Sequence, residues 1–328
     1  MVSVIDVSPA LAPRPPARPG LRLAVTGGDD PQVTREISLA LSPSRASDFM
    51  RCPLMFRFRA LERIPERPSS AAVRGTLVHS VLERLFDLPG HERTPAAATS
   101  LLGPTWQALL AGEPSLICAV DPEEPFPGES SVDARPPADA GARDVLVAQW
   151  LAGAEPLLAT YFDLEEPSLL RPSARELAIS VELADGTPLR GVIDRVETSA
   201  AGWLRVVDYK TGRSPGPGFE QRAMFQMQFY ALMLWRCRGT VPKRLQLLYL
   251  GDGQTLTCEP TAVELERCEH KLRALWSAIL KVLETGDWVA RPSRMCDWCD
   301  HQSRCPARGG TEPAPLRVRQ LDEVVASS

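Results

Sequence analysis

Two short stretches of the sequence place charges where apolar residues ought to continue. Gly191-Val192-Ile193-Asp194-Arg195 and Val206-Val207-Asp208-Tyr209-Lys210 both start as strand interiors and end on ionisable groups. Side chains alternate along a strand, so Asp208 and Lys210 share a face. If Thr198 to Gly202 is a five-residue hairpin loop, Asp194 joins that face, diagonal to Asp208 and roughly 7–8 Å from it, close enough for both carboxylates to share one cation. A hard cation held by two carboxylates can neutralise charge building on phosphoryl oxygens and make water a nucleophile at neutral pH. A lysine beside it can orient that water and stabilise the pentacovalent transition state. Lys210 is one of four lysines in the chain, which makes its position two residues after Asp208 less likely to be background. The competing reading is a strand-end salt bridge among Asp194, Arg195, Asp208 and Lys210.

A second constellation lies near the C-terminus, where Cys296-Asp297-Trp298-Cys299 is followed by Cys305-Pro306. Three thiols at ligand spacing need a fourth partner, and His301 between them is one that could serve. Cys118, Cys237, Cys258 and Cys268 have no ligand spacing and read as small hydrophobes. In a reducing compartment eight cysteines are free thiols, metal ligands or redox centres rather than a disulfide framework.

The remaining bulk properties narrow the classes. Prolines at 9, 13, 15, 16 and 19 interrupt any apolar run at the start, so no signal peptide is read, and no later run looks long enough to span a bilayer. The expectation is a cytoplasmic protein without a membrane partner. A net charge of −4 gives no global field for a polyanion, so nucleic acid would need a local patch. Arg45, Arg51, Arg57, Arg59, Arg63, Arg67 and Arg74, set against Asp48, Glu62 and Glu66, form one candidate. The bland alternative is a solvated surface.

The elements that would position these groups are legible from periodicity. Residues 1–40 are expected to be largely disordered or irregular, with Leu21 to Ile37 adding at most a strand. Thr76 to Asp87 repeats apolar residues with the helical period. Asp121 to Arg143, dense in Pro and Gly, reads as a loop or insertion, and a helix follows over Ala142 to Phe162. From Arg175 the period drops to two, Asp185-Gly186 supplies a turn, and strands over Arg190 to Glu197 and Trp203 to Lys210 complete a meander. Phe219 to Arg236 is a helix, Arg244 to Leu250 a strand, and Ala262 to Thr285 a long amphipathic helix. This order defines a mixed α/β (α+β) domain around a central sheet flanked by helices, placed at 41–306, with 307–328 as a tail.

The two stretches, with Thr211-Gly212 after the second, resemble the core motifs of RecB-like nucleases in the PD-(D/E)XK superfamily. Gly75-Thr76-Leu77-Val78-His79 is similar to that family's upstream histidine motif, and Gln226-Met227-Gln228-Phe229-Tyr230 to its downstream Gln-to-Tyr motif, whose spacing puts both residues on one helix face. The resemblance implies that His79, Asp194 and Asp208 bind Mg²⁺ or Mn²⁺, that Lys210 acts at the attacking water, and that Gln226 and Tyr230 position the DNA strand or support the site. It also pairs Cys52-Pro53 with Cys296, Cys299 and Cys305, as in the iron–sulfur staple of AddB-type and CRISPR-adaptation nucleases, which would join the N- and C-terminal segments. Four thiolates suit a 4Fe–4S cluster or a structural zinc; the uneven spacing lacks the paired knuckles of zinc ribbons and favours iron–sulfur. Such a staple would draw Arg51, Arg57 and Arg59 toward the nuclease face as a phosphate groove. The function implied is a metal-dependent exonuclease acting on single-stranded or free-ended DNA in repair or recombination. The alternative is a catalytically silent iron–sulfur DNA-binding or scaffold subunit. No Gly-x-x-x-x-Gly-Lys-Ser/Thr phosphate loop is present, so a helicase motor would be a separate partner.

Overall fold

The computed structural model describes residues 20–27, 30–121, 123–126, 140–216, 218 and 220–321. The proline-rich start, most of the stretch expected as a loop over 121–143, and the last residues lie outside these.

A five-stranded sheet organises the molecule. Its strands are β3 (Ala174–Glu182), β4 (Pro188–Thr198), β5 (Leu204–Lys210), β6 (Arg244–Tyr249) and β7 (Gln254–Cys258), paired in that order. All neighbours are antiparallel except β5 and β6, which run parallel. Parallel neighbours need a crossover, and the helix Glu220–Arg238, α8 in a series numbered below, supplies it. Strand β7 was not foreseen, because its Gln-Thr-Leu-Thr-Cys carries one strong apolar residue at an exposed edge.

Helices cover both faces. On one side lie α1 (Pro43–Arg51), α2 (Pro53–Phe56), α8 and α9 (Ala262–Thr285), sharing a core with Ile193, Val206 and Leu245 of the sheet. On the other lie α3 (Ser70–Leu85), α4 (Pro95–Ser100), α5 (Leu102–Gly112), α6 (Ala140–Ala152) and α7 (Glu155–Leu164), packed on Val207, Tyr209 and Leu248. Strand β5 thus alternates Val206 to one core and Val207 to the other, as a strand buried on both faces must. Local signals set the helix ends: the Ser69 hydroxyl accepts from Ala72 N at the start of α3, while Thr261 and Glu264 form a capping box on α9, which stops at Gly286 with φ 77°.

Three expectations are corrected. Residues 21–27, 30–39 and 316–320, assigned to an irregular start and a tail, form a second sheet of β1 (Leu21–Gly27), β2 (Asp30–Leu39) and β8 (Leu316–Gln320) in the order β2-β1-β8. Leu23, Val25, Ile37 and Leu39 are buried against the core on the α8 side. Pairing partners almost 300 residues apart leave little local trace. The helix expected over Ala142 to Phe162 is broken into α6 and α7, with Gly153 and Ala154 between them. Finally, Gly141–Leu164 does reach bilayer-spanning length at a mean hydropathy of 1.2, contrary to the expectation of no such run. It is the pair α6 and α7, whose Trp150, Leu158 and Tyr161 pack under α3.

Candidate active site

The ladder between β3 and β4 has a fault. Arg175 pairs with Arg195 and Leu177 with Ile193, but Glu176 and Asp194 between them take no part. Ile193 faces the core on the α8 side, whereas Arg195, two residues on, turns to Tyr161 and Tyr209 beneath α3 and α7. Strict alternation would put both on one side, so the strand inverts at Asp194. Its neighbour Glu176 takes φ 41°, a strained conformation for a residue with a Cβ.

The inversion carries Asp194 out of both cores. Its Oδ2 accepts the Tyr209 N–H at 2.8 Å and lies 3.3 Å from His79 Nδ1. On α3, His79 brings Nε2 to 2.9 Å from the Tyr209 carbonyl. A carbonyl only accepts, so Nε2 holds the proton and Nδ1 faces a carboxylate, an arrangement satisfied by a second proton or by a cation. Burial lowers the His79 pKa, but the Asp194 hydrogen bond and the charges of Asp194 and Asp208 outweigh it and raise it. Glu176 completes the group: His79, Glu176 and Asp194 each offer a ligand atom, all within 4.8 Å of one another. Burial first, and then the Asp194 charge, push the Glu176 carboxyl up to about 7. Two carboxylates and an imidazole crowded this way fit a divalent cation such as Mn²⁺ or Mg²⁺, which would relieve the repulsion.

Asp208 faces the other way. The last pair of the ladder, Arg195–Val207, places it next to a position across from Asp194 rather than diagonal to it as expected, and the two carboxylates still feel each other's charge. Its Oδ1 accepts from Gln226 Nε2 at 2.7 Å, and Lys210 Nζ lies 2.6 Å from Oδ2. Lys210 donates to Gln226 Oε1 at 2.8 Å, and Gln226 Nε2 reaches the Tyr230 hydroxyl at 3.0 Å. Asp208 is buried, which together with Asp194 lifts its pKa to about 6 against the pull of Lys210. Gly191 is required here, since a Cβ would meet the Tyr230 ring at 2.8 Å. The four-residue salt bridge is not what forms: Arg195 binds Glu165 through both carboxylate oxygens, at 2.8 and 2.6 Å, and Glu197 at 3.0 Å.

The structure therefore brings together His79, Asp194, Asp208, Lys210, Gln226 and Tyr230, and adds Glu176. Simple alternation puts Glu176 among the polar, outward positions of β3. The signal that could have found it is the Asp185-Gly186 hairpin, whose register sets Glu176 opposite Asp194.

Cys52 ends α1 and starts α2, while Cys296, Cys299 and Cys305 sit on or beside short 3₁₀ turns. All four line one cavity. Backbone N–H groups of Arg291 and Ser293 point at the sulfurs of Cys52 and Cys296 at 3.5 and 3.3 Å, and that of His301 at Cys299. The His301 ring, in the same cavity, is engaged by Glu66, with Nε2 2.7 Å from Glu66 Oε1. Among the described residues no three thiols come within 4.8 Å of one another.

The expected phosphate groove of Arg51, Arg57 and Arg59 is corrected. Arg57 is only 4% exposed, paired with Glu62 at 2.5 Å and donating to the Ala314 carbonyl. Arg59 is held by Asp48 at 2.9 Å and Glu66 at 2.6 Å. The acids interspersed in that segment neutralise these two in place.

A mixed sheet whose central strands carry paired acids and a lysine, with histidine and glutamine supplied by flanking helices, defines a class of phosphodiester-cleaving proteins. The chain belongs to the PD-(D/E)XK nuclease superfamily, whose model matches residues 40–306. It is similar to the Gene 69 protein of Mycobacterium phage L5, at 23% identity over 81% of this chain and 95% of the relative. The Gene 69 protein of Mycobacterium phage D29 is 25% identical over 83% of this chain and 98% of its own length. A solved structure from Eubacterium rectale, provisionally designated an exonuclease, aligns with a TM-score of 0.48 and 14% identity over 80% of this chain and 87% of that one.

Proposed function

We propose that the protein is a metal-dependent deoxyribonuclease that hydrolyses DNA strands from free ends, acting on single strands in cytoplasmic repair or recombination. The observation that carries this reading is the convergence of His79, Glu176, Asp194 and the Tyr209 carbonyl beside a lysine already engaged by Asp208 and Gln226. A divalent cation, Mg²⁺ or Mn²⁺, would be held by His79, Glu176 and Asp194 with Asp208 across the strand pair, and would neutralise charge on the phosphoryl oxygens while making water nucleophilic. The imidazole in that set favours Mn²⁺. Lys210 orients the attacking water and offsets the transition-state charge. Gln226 holds Lys210 and Asp208 together, and Tyr230 fixes Gln226. Single-stranded substrate is what the family resemblance implies, and two open cavities flank Lys210 where a strand would lie. Unwinding would fall to a separate helicase partner.

The same reading assigns Cys52, Cys296, Cys299 and Cys305 to a 4Fe–4S cluster of structural role. Shared cavity and N–H donors to sulfur support it. Hydrolysis needs no electron transfer.

End-labelled single- and double-stranded DNA, incubated with Mn²⁺, Mg²⁺ or chelator, tests the function. Expected is Mn²⁺-supported loss of end label from single strands and none in chelator. Intact DNA under every metal condition contradicts it.

A further inference from the structure

Arg45 on α1 and Arg190 on β4 carry like charges at one join in the fold, where Arg45 donates to the Ala40 carbonyl and the next residue, Leu41, accepts from the Arg190 N–H at 2.8 Å. Arg63, at the end of the turn after α2, adds its repulsion to both. None has a carboxylate partner among the described residues; Arg45 donates only to the Ala40 carbonyl, at 3.1 Å. Arg63 and Arg190 are exposed. Burial, followed by mutual repulsion with no acid to offset it, lowers the pKa of Arg45 to about 10 and also lowers that of Arg190. In the same segment Arg57 and Arg59 are neutralised by Glu62, Asp48 and Glu66, whereas these three keep their charge available. Uncompensated clustered guanidinium groups are destabilising until an anion arrives, and their fork geometry matches phosphate.

Position tells which anion. Arg190 lines the cavity on the α8 side together with Ser44, Ser47, Lys210, Gln226 and Tyr230. Lys210 also lines the neighbouring cavity containing His79 and Glu176. The two cavities therefore meet at Lys210, one carrying His79 and Glu176 and the other Arg190 and Arg222.

Resting on the nuclease reading above, we infer that Arg45, Arg63 and Arg190 form a second phosphate subsite, which takes a phosphate of the bound strand beyond the scissile one. The strand passes over Lys210 from the metal-side cavity into the serine-walled one. This subsite anchors the flanking nucleotide and contributes affinity without reading sequence.

The test uses the full chain carrying Asp208→Asn to stop cleavage, and measures binding of a fluorescent single-stranded oligonucleotide over a salt series. Adding Arg63→Asn, which tolerates the left-handed backbone at φ 53°, and Arg190→Gln should weaken binding roughly tenfold at 0.1 M salt and lower the log–log salt slope by about 1.4, the value for two contacts on a single strand. The lysine versions of both positions should restore most of the slope. Should the double variant unfold, Arg190→Gln alone carries the test with half the slope change. Equal losses for 5′-phosphorylated and 5′-hydroxyl strands identify an internal phosphate, and a loss confined to phosphorylated strands identifies the terminal one. An unchanged slope, with or without weaker binding, overturns the subsite. Cleavage by the unsubstituted chain reports separately on the nuclease reading.

Discussion

The acid-and-lysine centre and the cysteine cavity are built on opposite principles. At the centre, Asp194 is fixed by a backbone N–H, Asp208 by Gln226 and Lys210, and the strands beneath are buried on both faces. Three of the four cysteines instead lie on or beside turns of three to five residues with no buried residue of their own, and only Cys52 sits on a packed element. Backbone donors to sulfur, the Glu66–His301 bridge, an Arg308–Asp297 ion pair and the Phe58 ring against His301 hold that segment in place. One site is preformed by the polypeptide; the other is a set of thiols that a bound cluster would lock together.

The comparison can be broken first at the centre. Arg195 is fully buried and ties Glu165, Glu197 and the Tyr161 and Tyr209 hydroxyls behind the Tyr209 peptide. Its attraction to those groups outweighs burial and raises its pKa. Arg195→Leu removes the buried guanidinium shared by Glu165 and Glu197, leaving them only the partly exposed Arg205, and should cost about 3 kcal/mol in urea unfolding. A loss below 1 kcal/mol would mean that the centre is not rigidly preformed.

A smaller effect is expected at the cysteines. Cys296→Ser should remove the brown colour and about four irons per chain from anaerobically purified protein. Stability should fall by about 2–4 kcal/mol, as when a long-range cross-link is lost. Colourless wild-type protein with one zinc would keep the staple and replace the cluster.

The smallest effect concerns acid. Burial raises the Glu66 pKa, but the His301 and Arg59 hydrogen bonds outweigh this and hold it at about 2. A depressed carboxyl stabilises the fold above its unfolded value and loses that contribution as pH falls from about 4.5 toward about 2. Hydrogen exchange over residues 296–305 should therefore accelerate between pH 4.5 and 3, relative to the intrinsic rate, in the native chain. In Glu66→Gln it should be fast at both values, and equal acid sensitivity in the two proteins would remove Glu66 from the account.

Much of the centre was legible because its residues are anomalies within local patterns. Asp208 and Lys210 end an apolar strand, and Gln226 and Tyr230 share a helix face. What escaped depends on departures from periodicity. The inversion at Asp194 and the recruitment of Glu176 require a break in alternation that a period-two reading cannot contain. The second sheet escaped for another reason: β8 has two apolar residues in five and meets β1 only across the whole chain. The arginines were misassigned because which of them are neutralised depends on three-dimensional pairing, not on their density along the sequence.

The central claim is that the preformed centre cleaves DNA through Lys210 beside a metal-binding acid set. Initial rates on an end-labelled single strand in Mn²⁺, for the native chain and Lys210→Ala at equal melting temperature, test it most directly. The account predicts a rate lower by about 100- to 1,000-fold or more, the loss expected when a group stabilising the transition state is removed. A native rate from well-folded Lys210→Ala would contradict it.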